Sequence, residues 1–102
     1  MLDAARKAHS FLSDRSWQDF ANDERLSLSV IHLLEIVGEA AKRVSEEFRR
    51  AHPEIPWAEA ARTRDRLAHG YMSVDLQVVW GIVTKDLPPL ISRLEELVES
   101  SD

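Results

Sequence analysis

The sequence predicts an all-α protein, an up-and-down bundle of four to five helices. Three observations carry that expectation. Apolar residues recur every three or four positions along most of the chain, the period of one helical face. The 102 residues include only three glycines and four prolines, too few for the turns of an all-β fold. Those prolines also fall between apolar stripes, as Pro53 and Pro56 and then as Pro88-Pro89, where they punctuate helices. A chain of this length makes one domain, residues 1–102, with a core that a partner can usefully extend.

Leu2, Ala5, Ala8 and Leu12 form the stripe of a first helix, with Arg6 and Lys7 on other faces. Because it starts almost at Met1, its first turn is expected to be incomplete. Ser16 followed by Asp19 reads as an N-cap with a reciprocal acid, opening a short turn whose Trp17 and Phe20 plug the end of the core. Asn22 or Asp23 then caps a central helix expected from about Asp23 to Arg50, with Leu26, Val30, Leu33, Leu34, Val37, Ala41, Val44 and Phe48 on one face. Gly38 inside it is expected to admit a close neighbour, since glycine otherwise costs a helix about 1 kcal/mol.

The segment His52-Pro53-Glu54-Ile55-Pro56 stops that helix, and Pro56 suits the first position of the next, which is expected to run to about His69. Asp75 starts a fourth helix marked by Leu76, Val79, Trp80, Val83 and Leu87. Pro88-Pro89 is expected to kink or break it ahead of Leu90, Ile91, Leu94, Leu97 and Val98.

Composition removes several classes of function. With no cysteine there is no disulfide framework, thiolate nucleophile or cysteine-based zinc site. No apolar run approaches the roughly 18 residues of a membrane span, and no signal-peptide core opens the chain, so the expected location is the cytoplasm, away from membranes. The net charge of −5 argues against a broad grip on nucleic acid, so stable DNA binding is not expected and any phosphate chemistry must be local.

One stretch concentrates the chemistry: Arg64-Asp65-Arg66-Leu67-Ala68-His69-Gly70-Tyr71. Arg64 and His69 lie about 140° apart on a regular helix, but Gly70 supports a left-handed cap that lets the chain swing away at His69. A helix C-terminus also favours a protonated imidazole. Asp65, about 40° round from His69, has the spacing to fix its tautomer; the plainer reading makes Asp65 an ion-pair partner of Arg62 or Arg66. Imidazole can move a proton to or from a ribose or leaving oxygen while a guanidinium forks onto a phosphate, the parts needed to cut RNA without metal. Arg62, Arg66 and Lys42 are candidate phosphate contacts, and the plainer reading makes them a solvated face. On spacing alone Tyr71 is a packing residue. His9, His32 and His52 stand without companions, and nothing points to a metal cage.

The spacing Arg64-x4-His69-x-Tyr71 resembles the R-x4-H-x-Y motif of the HepT-like toxins, within the wider HEPN superfamily of helical domains. The segments 34–42 (LEIVGEAAK), 52–57 (HPEIPW) and Trp80 before Asp86-Leu87-Pro88 also look like that family's pattern, so the likeness covers nearly the whole chain. It implies a homodimeric bundle whose motifs meet in a cleft, acting as a metal-independent endoribonuclease with no cofactor, the toxin of a toxin–antitoxin pair. By that match Arg64 and His69 would be the catalytic pair; Asp65 is a supporting residue on its spacing to His69 alone. The family's partner is an MntA-type minimal nucleotidyltransferase that neutralises the toxin by placing AMP on the motif tyrosine, here Tyr71. The alternative is a non-catalytic helical subunit that binds substrate or nucleotide for such a nucleotidyltransferase. The chain departs from the family pattern in Asp65, where asparagine is common, in Arg62-Thr63 before the motif, and in a short N-terminus.

Overall fold

A computed structural model describes residues 1–68 and 74–100, and among them all regular structure is helical. The elements are α1 (Leu2–Leu12), α2 (Trp17–Asn22), α3 (Glu24–Arg43), α4 (Glu46–Ala51), α5 (Trp57–Ala68), α6 (Leu76–Gly81), a π-helical turn (Ile82–Asp86) and α7 (Leu87–Ser100). The last three follow one another without a gap, so the bundle has four long rods and two short helices. The expected all-α bundle is present, with six helices among the described residues where the sequence suggested four to five.

Side-chain pairs fix the direction of each rod. Arg6 meets Glu95 at 3.2 Å, while His9 and Leu12 line one pocket with Trp80 and Val83, so α1 runs antiparallel to the C-terminal rod. Phe48 packs beside Trp57 and Lys42 meets Asp65, so α5 descends along the end of α3 that the chain has just left. Arg93 donates to the Glu54 carbonyl and Arg66 meets Asp86, which sets α5 and α7 antiparallel as well.

Several helix starts behave as their residues dictate. Ser16 and Asp19 form a reciprocal capping box, the Asp19 amide donating to Ser16 Oγ at 3.1 Å. Asp23, rather than Asn22, caps α3 by accepting from the Leu26 amide at 3.0 Å. Asp75 accepts from the Gln77 amide at 2.9 Å and opens α6.

The central helix is shorter than the apolar period suggests. It ends at Arg43, where Val44 turns extended (ψ 133°), and Ser45 accepts from the Phe48 amide to start α4. Arg49 then reaches back to donate to the Ala41 carbonyl, which also accepts from the Val44 amide at 3.4 Å, so this terminal acceptor of α3 is doubly bonded. Phe48 consequently leaves the core stripe. It is 41% exposed and packs on His52, ring centroids 4.5 Å apart. Pro56 also stands one place earlier than expected, its carbonyl accepting the first bond of α5 from Ala60.

Pro88-Pro89 does not break the last rod. The turn ahead of it widens, with the Leu87 amide donating to the Ile82 carbonyl five residues back. Two missing proline N–H groups are absorbed by a π turn instead of a break.

The core is built on Val30, Leu34 and Val37 of α3, Phe20 of α2, Ile55, and Val79, Ile82 and Val83 of the last rod, all buried. Gly38 is buried with them. At one end Trp17, Phe20 and Trp80 meet with ring centroids 5.7–6.0 Å apart, the expected plug. At the other, Trp57 is buried and its indole N–H donates to the His52 carbonyl at 2.9 Å.

Replacing the fully buried Leu34 by alanine should cost about 2–5 kcal/mol, read as a lower urea midpoint at unchanged slope. The same change at Leu28, 58% exposed on the outer side of α3, should stay within about 0.5 kcal/mol.

Candidate functional site

The motif sits on the last turn of α5 and just beyond it. Trp57, Ala60, Thr63 and Leu67 bury one stripe of this helix. The one buried hydroxyl among them is satisfied locally, Thr63 donating to the Glu59 carbonyl at 3.3 Å. Arg64 belongs to α5 by its backbone. Its side chain, together with His69, Gly70 and Tyr71, lies outside the described residues. The expected meeting of Arg64 with His69, the Gly70 cap and the setting of Tyr71 therefore lie outside them too.

The residues that flank Arg64 on the helix are described. Asp65 Oδ1 accepts from Lys42 Nζ of α3 at 3.3 Å. Arg66 Nη1 meets Asp86 Oδ2 of the π turn at 3.4 Å. Both pairs are about half exposed, with side-chain exposures of 42% and 63% in the first and 47% and 52% in the second. Consecutive residues of α5 are thus tied to two different neighbours.

This corrects the simple sequence reading of Asp65. Its partner is neither Arg62 nor Arg66 but Lys42, because the antiparallel register of α3 and α5 brings residue 42 beside residue 65. Arg62 is exposed and forms no ion pair among the described residues. Of the three candidate phosphate contacts, Lys42 and Arg66 therefore lie at the motif turn, each already facing a carboxylate.

Away from its buried stripe, α3 carries an open groove of about 520 Å³ lined by His32, Glu35, Ile36, Glu39, Ala40 and Arg43, with Val44 at its end. Arg43 pairs with Glu39 at 3.3 Å, so the groove shows no surplus of cations. No helix of the described residues is long and apolar enough to cross a membrane.

Sequence reasoning missed Asp86 as a neighbour of the motif. A signal was available for its turning outward, though not for its partner: in a regular helix Asp86 falls seven residues after Val79, on the buried stripe, where an unpaired carboxylate does not stay. Something had to turn it outward.

A four-rod helical bundle bearing an Arg-x4-His-x-Tyr sequence where one rod ends defines a HEPN-type helical domain. The chain belongs to the HepT-like ribonuclease family: the family model described as "Ribonuclease HepT-like" matches residues 1–97. It is 42% identical to "Probable ribonuclease HepT" of Thermococcus cleftensis over 97 residues, covering 95% of this chain and 88% of that protein. Over 99 residues it is 32% identical to "Putative RNase MJ0127" of Methanocaldococcus jannaschii, covering 97% of this chain and 82% of the other. No solved structure matches the chain.

Because Lys42 and Asp65 are both well exposed, Lys42→Ala should lower stability by less than about 1 kcal/mol, and about 1 M salt should remove most of that difference. Urea titrations of both proteins at low and high salt measure it.

Proposed function

We propose that this chain is a metal-independent endoribonuclease, working as a homodimer and serving as the toxin of a toxin–antitoxin pair. The observation that carries the reading is the occurrence of the Arg64-x4-His69-x-Tyr71 spacing, at the end of α5, in a chain matched to a ribonuclease family over residues 1–97. In the proposed reaction the ribose 2′-oxygen attacks phosphorus and the bond from phosphorus to the 5′-oxygen breaks. The products are a 2′,3′-cyclic phosphate and a 5′-hydroxyl. His69 transfers a proton at one of the two oxygens, and Arg64 holds the phosphate as charge builds on it. One histidine serves one proton transfer, so a second His69 from a two-fold-related copy completes the set.

Two features support a dimer. Leu28 and Ile36 lie exposed on the outer side of α3, 58% and 40% respectively, where a second copy can cover them. The groove beside them carries both Glu35 and Arg43, so two antiparallel copies can oppose unlike charges. Neutralisation follows from the same site. A nucleotidyltransferase joins the phosphorus of AMP to the phenol oxygen of Tyr71 and releases pyrophosphate from ATP. A bulky anion two residues from His69 then repels an RNA backbone.

The purified chain should cleave single-stranded RNA to cyclic-phosphate ends with undiminished rate in excess EDTA, and His69→Ala should lower kcat by about 100-fold or more. Arg64→Ala should lose about 100-fold while keeping its unfolding midpoint. Abolition by chelator, or equal cleavage by wild type and His69→Ala, contradicts the mechanism. Expressed without a partner, wild type should arrest growth and His69→Ala relieve it. Equal growth would favour the non-catalytic subunit.

A further inference from the structure

The last rod changes register between Val79 and Leu87. In a regular α-helix the residue seven after Val79 returns to within about 20° of it, and that residue is Asp86. Asp86 would then point between Ile82 and Val83, which are 1% and 0% exposed. The π turn over Ile82–Asp86 holds one residue more than a regular helix there and moves the buried stripe along by one. Leu87, 2% exposed, takes the core place, and Asp86 emerges with its side chain 52% exposed, 3.4 Å from Arg66. Pro88 and Pro89 explain why hydrogen bonds are missing in this stretch. They do not explain why the position turned outward carries an acid, or why that acid faces the motif helix.

Lys42 provides the matching contact from the opposite neighbour. Asp65 and Arg66 project about 100° apart around α5, so ties to α3 and to the π turn resist rotation of the last turn in both senses. Exposed ion pairs of this kind add little to stability. Catalysis is far more sensitive to placement, since a displacement of about 1 Å in a reacting group can cost about 100-fold in rate.

We infer that Asp86 and Lys42 are positioning residues: by holding Arg66 and Asp65 they fix the angle and depth at which the last turn of α5 presents the motif. The inference rests on the ribonuclease reading for its catalytic part alone. Asp86 also neutralises Arg66, so that this guanidinium acts as an anchor and the phosphate is left to Arg64.

The test uses the full chain with Asp86→Asn, Arg66→Glu, Lys42→Gln and the exchanged pair Arg66→Glu/Asp86→Arg. Asp86→Asn and Lys42→Gln should each lower kcat about tenfold with KM within about twofold, while the urea midpoint shifts by no more than the small amount expected for losing an exposed ion pair. Backbone amides of residues 65–68 should exchange with solvent faster in Asp86→Asn and Arg66→Glu, and the exchanged pair should recover both the slow exchange and most of kcat. Unchanged exchange in Asp86→Asn, or an exchanged pair no better than Arg66→Glu alone, overturns the inference. A KM that falls in Asp86→Asn overturns it as well, because Arg66 would then be a phosphate contact that the acid restrains. If the wild type cleaves no RNA, the ribonuclease reading falls, and amide exchange still decides whether the clamp exists.

Discussion

The antiparallel seating of α5 on the C-terminal half of α3 is the constraint from which the rest of the bundle follows. Val30, Leu34, Val37, Gly38 and Ala41 give α3 a buried face whose far end is made of small residues, and α5 offers Ala60, Thr63 and Leu67 in its own buried stripe. Small residues let two backbones lie close. The start of α5 is pinned independently: Ile55 and Trp57 are buried, and the indole is bonded to the His52 carbonyl. With one end fixed beside Phe48 and a rise of about 1.5 Å per residue, residue 65 can only arrive beside residue 42. The motif turn inherits its place from this packing.

The interruption after Arg43 belongs to the same constraint. Had α3 continued to Arg50, the chain would have carried on past the bundle by two more turns and begun α5 too far away. Ser45 and Arg49 make the early stop inexpensive, one by accepting the Phe48 amide and the other by donating to the Ala41 carbonyl. A helix end is thereby satisfied by side chains only a few residues away, and α4 becomes a step that brings Trp57 to the right height.

Much of this architecture is legible in the residues, and what is not has a physical cause. Caps were readable at Ser16, Asp23 and Asp75 because a short polar side chain and an amide two or three residues on are local partners. The break at Val44 was hidden because Val44 and Phe48 continue the period of Val37 and Ala41; a new helix that resumes nearly in phase leaves no trace in periodicity. Ser45 followed by Glu46 and Glu47 was the available sign. The π turn was concealed by two prolines, which ordinarily signal a stop. The contacts of Lys42 and Asp86 with the motif turn are long-range, set by the register between rods, and no local pattern encodes such a register. Arg64, His69 and Tyr71 stood out by spacing and by likeness to a family, which marks chemistry without supplying its geometry.

The charge distribution bears on how such a domain meets an anionic substrate. Lys42, Arg43, Arg50 and Arg66 each stand against a carboxylate, and the chain carries a net charge of −5. A surface so compensated releases few counterions when a polyanion approaches, so attraction at long range is weak. Recognition must then come from a small number of groups that are correctly placed, and placement is what a pair of exposed, mutually opposed ion pairs can provide at almost no gain in stability. Weak contributions to folding and strong control of geometry are compatible here, because the apolar core shared by α1, α2, α3, α5 and the last rod holds the fold together, while in the inferred role the ion pairs act on the direction in which the last turn of α5 faces.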